Sequence, residues 1–233
     1  MIKIEKFEEL SKKLGIQFGN IHLLAQAFTH RSYLNEHRNS GLEHNERLEF
    51  LGDAVLELVV TNFLYKTYPK KPEGEMTAFR SALVNAQTLA VVAEELGLNT
   101  YLLLSKGEAK DTGRARQYIL ANTIEALIGA IYLDLGYDAA AKFIDAHVHT
   151  LIHEVIEKKK FIDPKSLFQE MSQEHAGVTP RYELMKEFGP DHDKLFTVGV
   201  FLGDIHIASG DGKSKQEAET QAAYKGLQVK KWG

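Results

Sequence analysis

His44-Asn45-Glu46-Arg47-Leu48-Glu49-Phe50-Leu51-Gly52-Asp53 carries two patterns at once, and together they decide the fold of the segment. Leu48, Leu51, Val55, Leu58 and Val59 recur at helical spacing and give it one apolar face. Glu46, Glu49, Asp53 and Glu57 follow at steps of three, four and four, so four carboxylates line a second face of the same helix. Two like charges about 5 Å apart repel by roughly 1 kcal/mol in water and about 3 kcal/mol at an effective dielectric near 20. A helix with a dense apolar face would not keep that stripe without a compensating cation. From spacing alone the stripe reads equally as a solvated acidic face with Arg47 nearby.

The same helical spacing recurs outward from this segment. Leu83, Leu89, Val92 and Leu96 form one run, and Ile124, Leu127, Ile128, Ile131 and Leu135 another, with Tyr68-Pro69, Gly97 and Gly136 as stops. Nothing before residue 158 alternates long enough for a sheet, which predicts an all-α domain over residues 1–157. Past Lys158-Lys159-Lys160, read as a tether, the texture changes. Asp163-Pro164 pairs an N-cap with a first-turn proline and starts a helix carrying Leu167, Phe168 and Met171. Tyr182–Phe188 and Phe196–Leu202 read as strands, the second with Phe196, Val198, Val200 and Leu202 on one face. Gly203-Asp204 is a hairpin signal into Ile205–Ser209. Ser214 and Glu217 form a capping box for a last helix with Ala218, Ala222 and Leu227 inward. The expectation is a multidomain chain, with an α+β module of order α-β-β-β-α over residues 162–231.

Composition narrows the function classes. At 233 residues and 44% hydrophobic, the chain is long enough for one large or two modest cores. It has no cysteine, which excludes disulfides, thiolate zinc sites and cysteine nucleophiles. No stretch approaches the roughly 18 uninterrupted apolar residues of a spanning helix. The Met1–Lys6 segment lacks the apolar region of a secretory signal. A cytoplasmic protein without membrane or organic-cofactor association is expected. The net charge of −4 argues against nucleic-acid binding through a global field. Residues 161–233 carry nine Lys/Arg against eleven Asp/Glu, so any polyanion site must be a local patch.

A second helix supplies a partner for the acidic stripe. Asn122 and Glu125 lie one turn apart in the otherwise apolar run Leu120–Gly129, where a lone carboxylate is costly unless paired or coordinated. Oxygen ligands from facing helices suit Mg²⁺, or Mn²⁺ as its substitute, rather than zinc. Such clusters typically serve phosphoryl chemistry.

The run Asn45–Asp53 closely resembles the signature of bacterial ribonuclease III, the endonuclease of double-stranded RNA. Leu24–Tyr33, Glu73–Thr77 and Asn122–Gly129 match in the same order, so the resemblance covers nearly the whole chain. It implies that Glu49, Asp53 and Glu125 bind metal, with Asp53 and Glu125 most directly catalytic, and that Asn122 stands at a further metal position where the family more often has Asp. It implies that Glu73 is an accessory acidic residue and Phe50 a hydrophobic knob inserted into the partner of a homodimer. It further implies hydrolysis of both strands of duplex RNA to 5′-phosphate and 3′-hydroxyl ends, in the processing of rRNA and mRNA. His30 is read as structural. Asn122 also motivates an alternative, a duplex-RNA-binding protein with an attenuated nuclease site, against which the retained carboxylates argue.

The second module resembles a double-stranded RNA-binding domain. Gln169 and Gln173 lie four apart on its first helix, where amides meet 2′-hydroxyls across a minor groove; alone they would read as ordinary surface residues. Gly189-Pro190-Asp191-His192 resembles the family's minor-groove loop, with His192 as the contact. Lys213 and Lys215 flank the start of the last helix. Cations are disfavoured there unless an anion such as phosphate is expected.

Overall fold

The apolar runs of the first part of the chain become helices around one core. In the computed structural model, which describes residues 4–157, 163–190 and 194–232, the chain divides into two units, Met1–Phe161 and Ile162–Gly233. The first unit holds α1 (Glu5–Leu14), α2 (Ile21–Ala27), α3 (Arg31–Glu36), α4 (Glu46–Thr67), α5 (Glu73–Val84), α6 (Ala86–Glu95), α7 (Arg114–Leu135), α8 (Tyr137–His147) and α9 (Ile152–Glu157). Its extended pairing among the described residues is a single bridge, Thr29 with Leu103. The Lys158–Lys160 tether lies outside the described residues.

The helix α7 is the axle of this unit. It passes by length and hydropathy as a membrane-spanning helix, yet α2, α4, α6 and α8 pack around it. From Ile119 to Ile131 every residue is buried except Asn122 and Glu125, which are half-exposed. Its closest neighbour is α4, which buries Leu48, Val55, Leu56, Val59, Val60 and Leu64. The two backbones touch at a pair of glycines. A Cβ on Gly52 would stand 1.7 Å from the Glu125 carbonyl oxygen, and one on Gly129 would stand 2.2 Å from that of Leu48.

One expected helix is two. The run Leu83–Leu96 breaks at Asn85, whose extended backbone ends α5 and whose side-chain oxygen accepts from the Thr88 N–H at 2.9 Å to cap α6. Leu83 therefore belongs to α5, and Leu89 and Val92 to α6. Periodicity misses the break because the apolar phase is kept across it.

The second unit has α10 (Pro164–Ala176), β1 (Arg181–Phe188), β2 (Leu195–Leu202), β3 (Ile205–Gly212) and α11 (Lys215–Lys230), the predicted order. The sheet is antiparallel, β1-β2-β3. Asp163 caps α10 by accepting from the Ser166 N–H at 3.0 Å, and Leu202 pairs with Ile205 across the Gly203-Asp204 turn. Phe168, Val200, Leu202, Ala222, Ala223 and Leu227 form the core. Burying a ring such as Phe168 contributes about 2–3 kcal/mol.

Two details differ from expectation. β3 runs on to Gly212, pairing with Phe196, because ladder hydrogen bonds carry a strand through glycines that propensity disfavours. The capping box is shifted: Ser214 Oγ accepts from the Glu217 N–H at 3.1 Å, but the Glu217 carboxylate accepts from the Lys213 N–H at 2.8 Å, one residue earlier than the motif predicts.

Candidate active site and nucleic-acid interface

The start of α4 is anchored by its own signature. Asn45 is buried, its N–H donates to the Thr29 carbonyl at 2.9 Å and its amide to the Ala27 carbonyl at 3.2 Å. From this fixed start the carboxylates of α4 run towards the crossing with α7. The ends of the stripe are neutralised. Glu46 meets Arg31 at 3.2 Å, with His44 at 3.7 Å, and Glu57 meets Arg80 at 2.9 Å. The compensating cations thus come from α3 and α5 rather than from Arg47.

The middle of the stripe is different. Glu49 and Asp53 face Asn122 and Glu125 across the glycine contact, so four sequence-predicted residues come together. Asn122 hydrogen-bonds the Glu49 side chain. Burial, with the charges of Glu46 and Asp53, raises the Glu49 carboxyl above its ordinary range despite that bond. Burial acts more strongly on Glu125, and with Asp53 and Glu49 beside it the carboxyl is pushed up to about 7. The charges therefore oppose one another at the crossing. As the side chains stand, no three His, Cys, Asp or Glu groups among the described residues converge closely enough to hold an ion. The donor set still fits a hard divalent cation: carboxylates and an amide oxygen on two facing helices, with unrelieved negative charge between them.

Other predicted residues stand apart from this cluster. Glu73 opens α5 and accepts from Thr77 of the same helix at 3.2 Å. Phe50 lies one residue beyond Glu49 and is 81% exposed, although it is a large apolar residue. His30 caps α3, accepting from the Ser32 N–H, and burial lowers its pKa.

In the second unit, Gln169 and Gln173 are both exposed on α10, and Gln173 donates to Thr179 Oγ1 at 2.6 Å. Lys213 and Lys215 are exposed at the start of α11, with Lys215 Nζ 6.0 Å from the Phe196 ring centroid. The Glu217 carboxylate already occupies part of that helix start through the Lys213 N–H. His192 lies outside the described residues.

Sequence reasoning missed the roles of Asn45, Arg31, Arg80 and the two glycines. Only the glycines gave a signal, since each interrupts a strongly apolar helix.

Comparison with known proteins follows the same two-part division. A family model described as Ribonuclease-III-like matches residues 20–151, and one described as Double-stranded RNA binding motif matches residues 164–230. Ribonuclease 3 of Borreliella afzelii is 45% identical over 224 residues, covering 96% of this chain and 91% of that protein. Ribonuclease 3 of Carboxydothermus hydrogenoformans is 46% identical over 228 residues, 97% of either chain. The solved nuclease domain of Ribonuclease III from Campylobacter jejuni, described with structural flexibility in a region involved in dimer formation, superposes with a TM-score of 0.55. It is 37% identical and covers 61% of this chain and 96% of that one. Identity of this depth along nearly the full length of the curated relatives, with both modules matched in order, means that the chain belongs to the ribonuclease III family.

Proposed function

We propose that the chain is an endoribonuclease of double-stranded RNA that hydrolyses phosphodiester bonds in both strands, leaving 5′-phosphate and 3′-hydroxyl ends, in cytoplasmic processing of rRNA and mRNA. The observation that carries this reading is the meeting of Glu49, Asp53, Asn122 and Glu125 at the α4–α7 crossing, in a chain that also has a duplex-RNA-binding module. The nuclease domain is taken as residues 1–157 and the binding domain as residues 162–231.

Glu49, Asp53 and Glu125, with the side-chain oxygen of Asn122, would hold Mg²⁺, or Mn²⁺ in its place. Bound there, the ion supplies charge for the phosphate and an acidified water. Asn122 orients the Glu49 carboxylate through its hydrogen bond. Glu125, half-buried among like charges, carries a proton readily near neutral pH, and Glu73 is an accessory acidic group. The test is incubation with a long RNA duplex in Mg²⁺ or in EDTA. Short fragments in Mg²⁺ alone are expected, and an intact duplex at every Mg²⁺ and Mn²⁺ concentration overturns the reading. The attenuated-nuclease alternative is not favoured by relatives named Ribonuclease 3 that match over 91% and 97% of their length.

Homodimerisation is part of the proposal, supported by the exposed ring of Phe50 beside the carboxylate cluster. It would bring two sites to one duplex, one for each strand. Phe50→Ala removes an apolar anchor worth about 3–5 kcal/mol when fully buried. Sedimentation at micromolar concentration should show a wild-type dimer and a variant shifted to monomer; a wild-type monomer refutes the arrangement.

Gln169, Gln173 and His192 would face the minor groove, and Lys213 and Lys215 the phosphates. Lys213→Ala with Lys215→Ala should weaken duplex binding and flatten its salt dependence by about two in log–log slope, one for each lost phosphate contact. Single-stranded RNA should compete poorly. Unchanged affinity and slope in the double variant would remove the lysines from the interface.

A further inference from the structure

A pocket opens one turn along α7 from the carboxylate cluster, and it has a different chemistry. It measures about 240 Å³ and is lined by Ala86 and Gln87 at the start of α6 and by Arg114, Gln117 and Tyr118 of α7. Arg114 lies over the Tyr118 ring, with its guanidinium carbon 6.0 Å from the centroid. One ring face is therefore covered by a cation, while the side chain as a whole remains 49% exposed.

Helix phase ties this pocket to the cluster. Arg114, Tyr118, Asn122 and Glu125 follow at steps of four, four and three, so they share one face of α7. Beyond Tyr118, Asn122 and Glu125 are the only residues up to Ile131 that the core leaves uncovered. The open strip of α7 thus runs from a cation, through an aromatic hydroxyl and an amide, to the carboxylates. Tyr118 and Asn122 are separated by about 6 Å of helix rise, roughly the step between neighbouring phosphates on one strand of a duplex.

We infer that this pocket holds the sugar-phosphate backbone of the strand being cut, within about two nucleotides of the scissile phosphate. The inference rests on the reading of the chain as a duplex-RNA nuclease. Arg114 contacts a phosphate, and the amides of Gln87 and Gln117 with the Tyr118 hydroxyl contact ribose 2′-hydroxyls. Bases in an intact duplex stay stacked, so phosphates and 2′-hydroxyls are what a shallow surface meets across the minor groove. A 2′-hydroxyl both donates and accepts, as amides and the tyrosine hydroxyl do, whereas a phosphate needs the cation. The nuclease unit therefore checks for ribose itself, independently of the second module.

The test uses the full chain in Mg²⁺ and a short RNA duplex with one cleavage position. A second duplex carries 2′-deoxy nucleotides at the two positions on either side of the cut. Arg114→Ala should lower kcat/KM by about tenfold or more and reduce its salt slope by about one, and Arg114→Lys should restore the slope. Gln87→Ala with Gln117→Ala should leave the salt slope alone but erase most of the penalty that the wild type shows for the deoxy duplex. All these side chains except Ala86 are exposed, so the variants should unfold at the wild-type temperature. A wild type that cuts duplex RNA, with variants matching it in salt slope and deoxy penalty, overturns this inference and leaves the nuclease reading standing. A wild type that cuts nothing overturns both.

Discussion

Glu125→Gln leaves a chain that binds duplex RNA with wild-type affinity and cuts it at least about 10³-fold more slowly. The side chain keeps its shape and its half-exposed place on α7; what it loses is the charge that faces Asp53 and Glu49. The same charge makes stability depend on pH. The carboxyl titrates near its ordinary 4.5 in the unfolded chain and near 7 in the folded one. Between these values the folded protein holds a proton that the unfolded chain has released, so the metal-free protein loses stability as pH rises. By pH 8 the loss is on the order of 2 kcal/mol, after discounting for solvent screening of a group that is only partly buried. Glu125→Gln abolishes that slope: in EDTA the variant should melt above the wild type at pH 8, and the gap should close towards pH 5. A cation competes with the same proton, so the Mg²⁺ needed by the wild type should fall as pH rises through about 7. Asn122→Asp is the opposing control. It adds repulsion to the metal-free cluster and should lower the Mg²⁺ concentration for half-maximal cleavage. A Glu125→Gln chain that cuts at the wild-type rate, or that melts below the wild type at pH 8, places Glu125 outside the centre.

What was legible in the sequence is what local physics writes into it. A carboxylate and an amide one turn apart in an apolar run mark a site wherever the helix packs: Asn122 finds a hydrogen-bond partner in Glu49, while Glu125 meets the like charges of Asp53 and Glu49. Caps and turns are equally local, so Asp163, Ser214 and the Gly203-Asp204 hairpin were readable. Long-range pairing was not. Arg31 reaches Glu46, and Arg80 reaches Glu57, through helix packing that no spacing encodes. The break at Asn85 was hidden because the apolar phase survives it. The most consequential omission is the pair Gly52 and Gly129. A glycine within a helix reads as a weakness, and its use appears once the facing backbone is seen.

Gly52→Ala turns that observation into a test whose sign is decisive. In an ordinary helix interior the change stabilises by about 0.5–1 kcal/mol, because alanine loses less conformational entropy on folding. At Gly52 the added methyl would sit 1.7 Å from the Glu125 carbonyl oxygen and 2.8 Å from the Gly129 nitrogen. Both are backbone atoms of α7, so no rotamer change relieves the clash and the two helices must separate. Overpacking of this kind costs about 1–3 kcal/mol and exceeds that range where backbone itself must move. The variant should therefore melt well below the wild type. Its activity should fall further than its stability explains, because Glu49 and Asp53 ride on α4 while Asn122 and Glu125 ride on α7. A displacement of about 1 Å between catalytic groups is enough for a loss near 10²-fold. Cleavage is best measured far below the melting temperature, so that the folded fraction does not limit the rate. Gly129→Ala, whose methyl would press on the Leu48 carbonyl at 2.2 Å, should reproduce both effects from the other side of the contact. Melting at or above the wild-type temperature in either variant would show that the two helices do not approach at their glycines, and the carboxylate cluster would lose the contact that assembles it.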